Sequence, residues 1–169
     1  MNIFATSPCP IFCAQYLDDK RVVKMTLETA QMLSTAITER GGEGPYRRAY
    51  WNHPCTKWVR ETRCNYDWTL RHFQALCDEY KKRYGRTHAC ASHLVTFADG
   101  ADLMPDGWIT SFADCSLQDS GDSVYERYRK CLAEKWRNDK RKPTWYGKHE
   151  RTIGELAHNE VLAGDSGSE

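Results

Sequence analysis

A chain of 169 residues and 19.6 kDa is long enough for one domain that buries about 70% of its unfolded surface. Its 40% apolar and 28% charged residues make a globular composition. There is no run near the ~20 apolar residues of a membrane span. The opening Met1-Asn2-Ile3-Phe4 lacks the basic start and apolar core of a secretory signal, so a cytoplasmic location is expected, in the host cytoplasm if the source is viral. A net charge of only +1 excludes a uniformly cationic surface.

In chain order, Thr6 or Ser7 is placed to cap a short first turn, with Pro8 at a helix position where its missing N–H costs nothing. Asp18 and Asp19 open a long helix to about residue 38, with Val22, Val23, Met25, Leu27, Ala30, Leu33, Ala36 and Ile37 at steps of three and four. Gly41-Gly42-Glu43-Gly44-Pro45 ends it. A second helical run starts at Pro54, breaks near Asn65 and closes at Gly85, with Val59, Thr62, Tyr66, Phe73, Cys77, Tyr80 and Tyr84 as its apolar stripe. Residues 98–121 read as loop, punctuated by Asp-Gly and Ser-Gly. Ser123-x-x-Glu126 is a capping box for a helix to about residue 136, and Thr152-x-x-Glu155 is a second one for a short last helix. The expected fold is therefore all-α, a compact helical bundle with long loops, one domain over 1–163 and a disordered tail over 164–169.

The charge is segregated along this chain. Residues 1–94 carry +5, residues 95–126 carry −7 with no Lys or Arg, residues 127–151 carry +7, and the last 18 carry −4. Such blocks make local fields that a net charge hides. Lys140-Arg141-Lys142 beside Trp145 and Tyr146 combines phosphate charge with stacking surface, while the same pattern also fits a basic loop closed by core aromatics. Tyr46, Arg47, Arg48, Tyr50 and Trp51, just before His53, form a second aromatic and basic cluster. Within it Trp51 is expected to be buried, and His53 either caps a helix or meets a phosphate. Eight cysteines without a secretory signal read mostly as core residues rather than a disulfide framework. By spacing, ligand chemistry gathers at His88, Cys90 and His93, which lack a second close pair, so no metal and no cofactor are expected.

On the first long helix Arg21, Lys24, Glu28, Gln31 and Thr35 share one face. Tyr16-Leu17-Asp18, then Val23 and Glu28 on a helix that continues through Ala30-Gln31, resembles the opening of the pyrimidine-dimer DNA glycosylase (phage endonuclease V) family. Asn52-His53-Pro54 is similar to that family's His-Pro at a helix start. Arg141-Lys142-Pro143-Thr144-Trp145-Tyr146 with Gly147-Lys148 resembles the phage enzyme's Pro-Thr-Trp-Tyr stretch. The resemblance covers about half of the chain. It implies a DNA base-excision enzyme in which Glu28, ten residues after Asp18, is the catalytic carboxylate and the N-terminal amine is the nucleophile. Asn2 is a poor signal for methionine removal, so the amine of Met1 itself is expected to serve, with that of Asn2 as the alternative. An α-amine, with a reference pKa near ~7.7–8.0, is partly neutral and nucleophilic at neutral pH.

The resemblance further implies damaged or modified duplex DNA as the partner of a monomeric enzyme. Arg21, Lys24, Gln31, Arg47, Arg48, His53, Lys140, Arg141, Lys142, Trp145, Tyr146 and Lys148 are the candidate contacts. The sequence departs from the family where Leu27 precedes the glutamate in place of arginine, and where Gln31 follows it in place of another. Those departures keep two alternatives open. One is an enzyme that modifies phage DNA bases or nucleotides on the same fold. The other is a non-catalytic protein that binds nucleic acid or nucleotides.

Overall fold

The long amphipathic run forms a helix, α2 (Asp19–Glu39), around which the other elements are laid in the computed structural model, which describes residues 1–145. Before it comes a short helix, α1 (Pro10–Tyr16), which starts two residues later than Pro8 suggested because Pro10 takes the first-turn position and Cys9 the cap. After it come α3 (Pro54–Val59), α4 (Arg63–Tyr84), α5 (Leu94–Gly100) and α6 (Val124–Asn138). Residues 89–93 and 101–103 form 3-10 turns on either side of α5. Among the described residues no strand occurs, and the all-α expectation is met. The capping box at Thr152 and the tail over 164–169 lie outside the described residues.

The helix boundaries follow from local chemistry. The break in the second helical run falls at residues 60–62, where the Thr62 hydroxyl accepts from Asn65 N–H and restarts the helix as α4. Gly85 closes α4 in the left-handed region at φ 67°, which a side-chain-bearing residue adopts at a cost. The Ser123 hydroxyl accepts from Glu126 N–H, and the Glu126 carboxylate accepts from Asp122 N–H. The helix α5 contradicts the loop expected from residue 98 on: Phe97 is fully buried, and the bare Cα of Gly100 sits against Ile37 of α2. Two turns are too short for periodicity to reveal.

α4 packs on both α1 and α2. Phe73 meets Phe97 edge to face at 5.2 Å, and the Tyr66 hydroxyl donates to Phe97 O at 2.8 Å. On the other side of α2, Trp136 of α6 stacks on Tyr16 and donates its indole N–H to Asp18. Two apolar residues of α2 read as core, Val23 and Leu27, are instead about 40% exposed. They flank Lys24 on a face that no element covers among the described residues.

The buried side of α4 carries a titrating group. His72 is fully enclosed, stacked on Trp68, with Nδ1 3.0 Å from Pro10 O. Burial pushes its pKa down to about 4, which the bond to Pro10 only partly offsets. The folded state therefore binds fewer protons here than the unfolded chain below pH 6.5, and stability falls as the pH drops from 6.5 toward 4. Between pH 6.5 and 5 the loss from this group is about 2 kcal/mol. Urea melts at pH 7 and pH 5 should show it, and the His72→Gln protein should lack that part of the difference.

Candidate active site

The first six residues form an irregular segment that enters the core. Ile3, Phe4 and Ala5 are buried, and Phe4 packs edge-on against Tyr128 of α6. Phe4 sits at φ 42°, a strained left-handed position for a side-chain-bearing residue, and the Asn2 side chain accepts from its N–H at 2.9 Å. Asn2 Nδ2 also donates to Cys115 O at 3.3 Å, and Arg129 donates to Thr6 O at 2.7 Å. This N-terminal segment is thus held at both ends by residues more than 100 positions away.

This course carries the N-terminal nitrogen to 3.4 Å from Glu28 Oε2. Glu28 projects from the middle of α2 with 14% of its side chain exposed, and Lys24 Nζ, one turn earlier, lies 3.4 Å from its other oxygen. His53, half-buried at the start of α3, is the third group. Its Nδ1 accepts from Cys55 N–H and caps the helix. Partial burial lowers its pKa, the N-terminal ammonium lowers it further, and Glu28 opposes them.

Below His53, the Cys55 thiol donates to the Cys115 sulfur at 3.5 Å. That bond raises the Cys55 pKa together with burial, and it brings Cys115 down to about 7. These two cysteines were read only as packing residues. Their convergence joins positions 60 residues apart, and no local spacing carries it.

Several expected contacts are placed differently. Arg21 is buried, not at a rim: it donates to Asp18 at 2.9 Å and Asp139 at 2.8 Å. Against the effect of burial, those carboxylates hold its pKa above the ordinary value. Lys24 remains as the exposed cation of that face. Trp145 is buried edge-on against Trp136 at 5.2 Å, so it is a core residue and no stacking platform for a base. Trp51 is exposed instead of buried, with the Arg48 guanidinium 4.8 Å above its ring and bonded to Glu39. Arg47 is exposed and Gln31 half-buried. Tyr146 and Lys148 lie outside the described residues.

His88, Cys90 and His93 do not gather as ligands. His88 Nδ1 accepts from Cys90 N–H, the Cys90 sulfur accepts from the Tyr46 hydroxyl, and His93 packs on the Tyr46 ring. Among the described residues the group whose donor atoms do gather is His53, Cys55 and Cys115.

Lys140, Arg141 and Lys142 are exposed on a segment tied to the start of α2. Asp139 pairs with Lys20 and Arg21, Thr144 O accepts from Asp19 N–H, and the Thr144 hydroxyl donates to Asp19. Asp19 and Glu28 are nine residues apart on one helix, about 13 Å along its axis. Between the two ends a cavity of about 540 Å³ opens between α2, α6 and residues 116–118, with Lys24, Met25 and Lys135 in its wall. Leu117 stands at its edge, 95% exposed and at φ 58°.

The profile of the pyrimidine dimer DNA glycosylase family matches residues 1–92. The chain belongs to this family. The match takes in the N-terminal segment, α1 to α4, Glu28 and His53, and stops before Cys115, α6 and the basic segment. No curated protein and no solved structure matches the chain. Family membership makes this a DNA-repair glycosylase type of protein with DNA as its substrate class. Among the described residues no helix is long and apolar enough to cross a membrane.

Proposed function

We propose that the protein is a DNA glycosylase with β-lyase activity that works through its N-terminal amine and Glu28. The observation that carries this reading is the 3.4 Å separation of the two groups, brought about by an N-terminal segment that is itself packed into the core. A nucleophile and a carboxylate in hydrogen-bond reach are what imine chemistry on a sugar requires.

The amine lone pair forms a bond to C1′ of a deoxyribose, and the bond from C1′ to the base breaks, the base leaving with the electron pair and taking a proton. The attacking nitrogen gives one proton to the departing base, and as the sugar ring opens O4′ takes a proton from water, leaving a protonated imine between C1′ and the protein. The Glu28 carboxylate supports the positive charge, then takes a proton from C2′. Those electrons form the C2′–C3′ double bond, and the C3′–O bond breaks, releasing the 3′ phosphate. Water hydrolyses the imine and returns the amine.

The sugar of a base in a duplex is reached once that base, or its neighbour, leaves the stack, at a cost of a few kcal/mol that damage reduces. The exposed face of α2, with Val23, Lys24 and Leu27, offers mixed apolar and cationic surface beside the amine. Leu117 adds exposed apolar surface at the cavity edge. Borohydride in the presence of abasic or dimer-containing DNA should trap a covalent complex through the N-terminal residue. A trapped complex through any other residue, or none, sinks the mechanism.

Phosphate contacts are assigned to Lys24 and to the exposed Lys140-Arg141-Lys142. Each neutralised phosphate on duplex DNA contributes about −0.9 to the slope of log affinity against log salt. Changing Lys140, Arg141 and Lys142 together to Ala should flatten that slope by about two to three units and weaken all sequences alike. Fluorescence anisotropy over a salt series checks this, and an unchanged slope places the DNA elsewhere.

A further inference from the structure

We propose that His53, Cys55 and Cys115 form a binding site for a thiophilic divalent cation of the zinc class, joining the start of α3 to the loop that anchors the N-terminal segment. One donor atom from each residue lies within 4.8 Å of the other two, and the sulfurs are 3.5 Å apart. Zinc bonds of about 2.3 Å to sulfur and 2.0–2.1 Å to nitrogen give a tetrahedron with edges of about 3.4–3.8 Å. The sulfur pair, at 3.5 Å, lies close to the edge of about 3.8 Å that two sulfurs require. His53 and Cys115 are half-buried and have room to close the rest by small side-chain rotations.

The donor set selects the metal. Two sulfurs and one imidazole favour zinc and similar soft cations over magnesium or calcium, which take oxygen. The imidazole accepts one bond at Nδ1, 3.2 Å from Cys55 N, and a ring nitrogen supplies the lone pair to the cation. Three protein ligands leave a fourth position. The N-terminal amine and Glu28 are the charged groups that act on His53, so the site adjoins the amine and carboxylate pair.

The topology gives such a cation a structural task. Cys115 lies on the segment 104–123, which has no helix or strand and is longer than most loops inside a compact fold. Its carbonyl accepts the Asn2 bond that holds the N-terminal segment. A cation on Cys115 would therefore tie that segment's anchor to α3. It would also close a long chain loop, which stabilises a folded chain by limiting the unfolded one.

The test uses the full chain, purified under reducing conditions, with zinc and cobalt as probes and no DNA. One equivalent of zinc should be held in competition with a chromophoric chelator. Cobalt should give intense tetrahedral bands with thiolate-to-metal charge transfer, and zinc should raise the melting temperature. Cys115→Ser and His53→Gln should each weaken zinc binding by about a hundred-fold or more and abolish the zinc-dependent rise, while Cys90→Ser leaves both in place. Cys55 is fully buried and its loss can unfold the chain, so the two half-buried ligands carry the test, with circular dichroism confirming their fold. The proposal is overturned if the reduced, folded protein takes up no zinc. Unchanged zinc binding and cobalt bands in Cys115→Ser, or a Cys55–Cys115 disulfide in place of the metal after purification, overturn it as well. None of these readouts depends on glycosylase activity, so the site stands or falls separately from the proposed reaction.

Discussion

Replacing Glu28 with glutamine is expected to lower strand cleavage by about 10²–10⁴-fold, the range lost with a positioned acid–base group. The amide keeps the shape and the helix position but can neither take the C2′ proton nor hold a negative charge against the developing sugar cation. It leaves Lys24, an exposed partner worth a few tenths of a kcal/mol, and the enclosed N-terminal amine without their carboxylate at 3.4 Å, so a urea melt of the variant accompanies the kinetics. DNA affinity should be unchanged or slightly tighter, because a negative charge facing the phosphates is gone. Single-turnover cleavage of an abasic duplex and anisotropy on the same duplex separate the two effects. Acetylating the N-terminus should abolish the borohydride-trapped complex in the native protein and leave binding intact. Cleavage by Glu28→Gln at the native rate, with the trapped complex still forming, would remove the carboxylate from the chemistry.

The largest expected loss of stability is at Arg83. Its guanidinium is wholly enclosed and donates to Glu79 at 2.9 Å, to Asp19 at 3.2 Å and to Leu17 O at 2.7 Å. It joins the end of α4 to the start of α2 and to the chain just before it, the region on which the Thr144 and Asp139 contacts are also built. Arg83→Met retains the length of the side chain but strips two buried carboxylates of their shared cation. Removing one partner of a buried ion pair costs about 3–5 kcal/mol. For a domain with a typical stability of about 5–15 kcal/mol that is a large share. Urea denaturation should show the midpoint falling with the slope unchanged. A midpoint within 0.5 kcal/mol of native stability would mean that the cluster is solvated after all.

How much of this was legible beforehand depends on the distance over which the deciding contact acts. The end of α4 and the start of α6 were readable, because Gly85 and Ser123 end or cap helices within three or four residues of themselves, whereas Thr62, read as part of an apolar stripe, caps α4 instead. The face shared by Lys24, Glu28 and Gln31 was readable for the same reason. What covers a helix face was not. Periodicity placed Val22, Val23, Met25 and Leu27 alike, yet Val22 and Met25 are buried while Val23 and Leu27 are exposed. The difference lies in what packs on α2, and the spacing of the helix itself does not contain that.

The sequence by itself determined the all-α class, the end of α4 and the start of α6, the segregated charge and, through its resemblance, Glu28 as the carboxylate to examine. Tertiary structure alone decided that the N-terminal nitrogen reaches that carboxylate, along a segment held by Cys115 and Arg129. It alone put Arg21 between Asp18 and Asp139, turned Trp145 into the core and brought His53, Cys55 and Cys115 together. The physical reason is common to these cases. Caps and periodicity act through the backbone over a turn or so, while burial and side-chain convergence are set by chain segments 60 to more than 100 residues away.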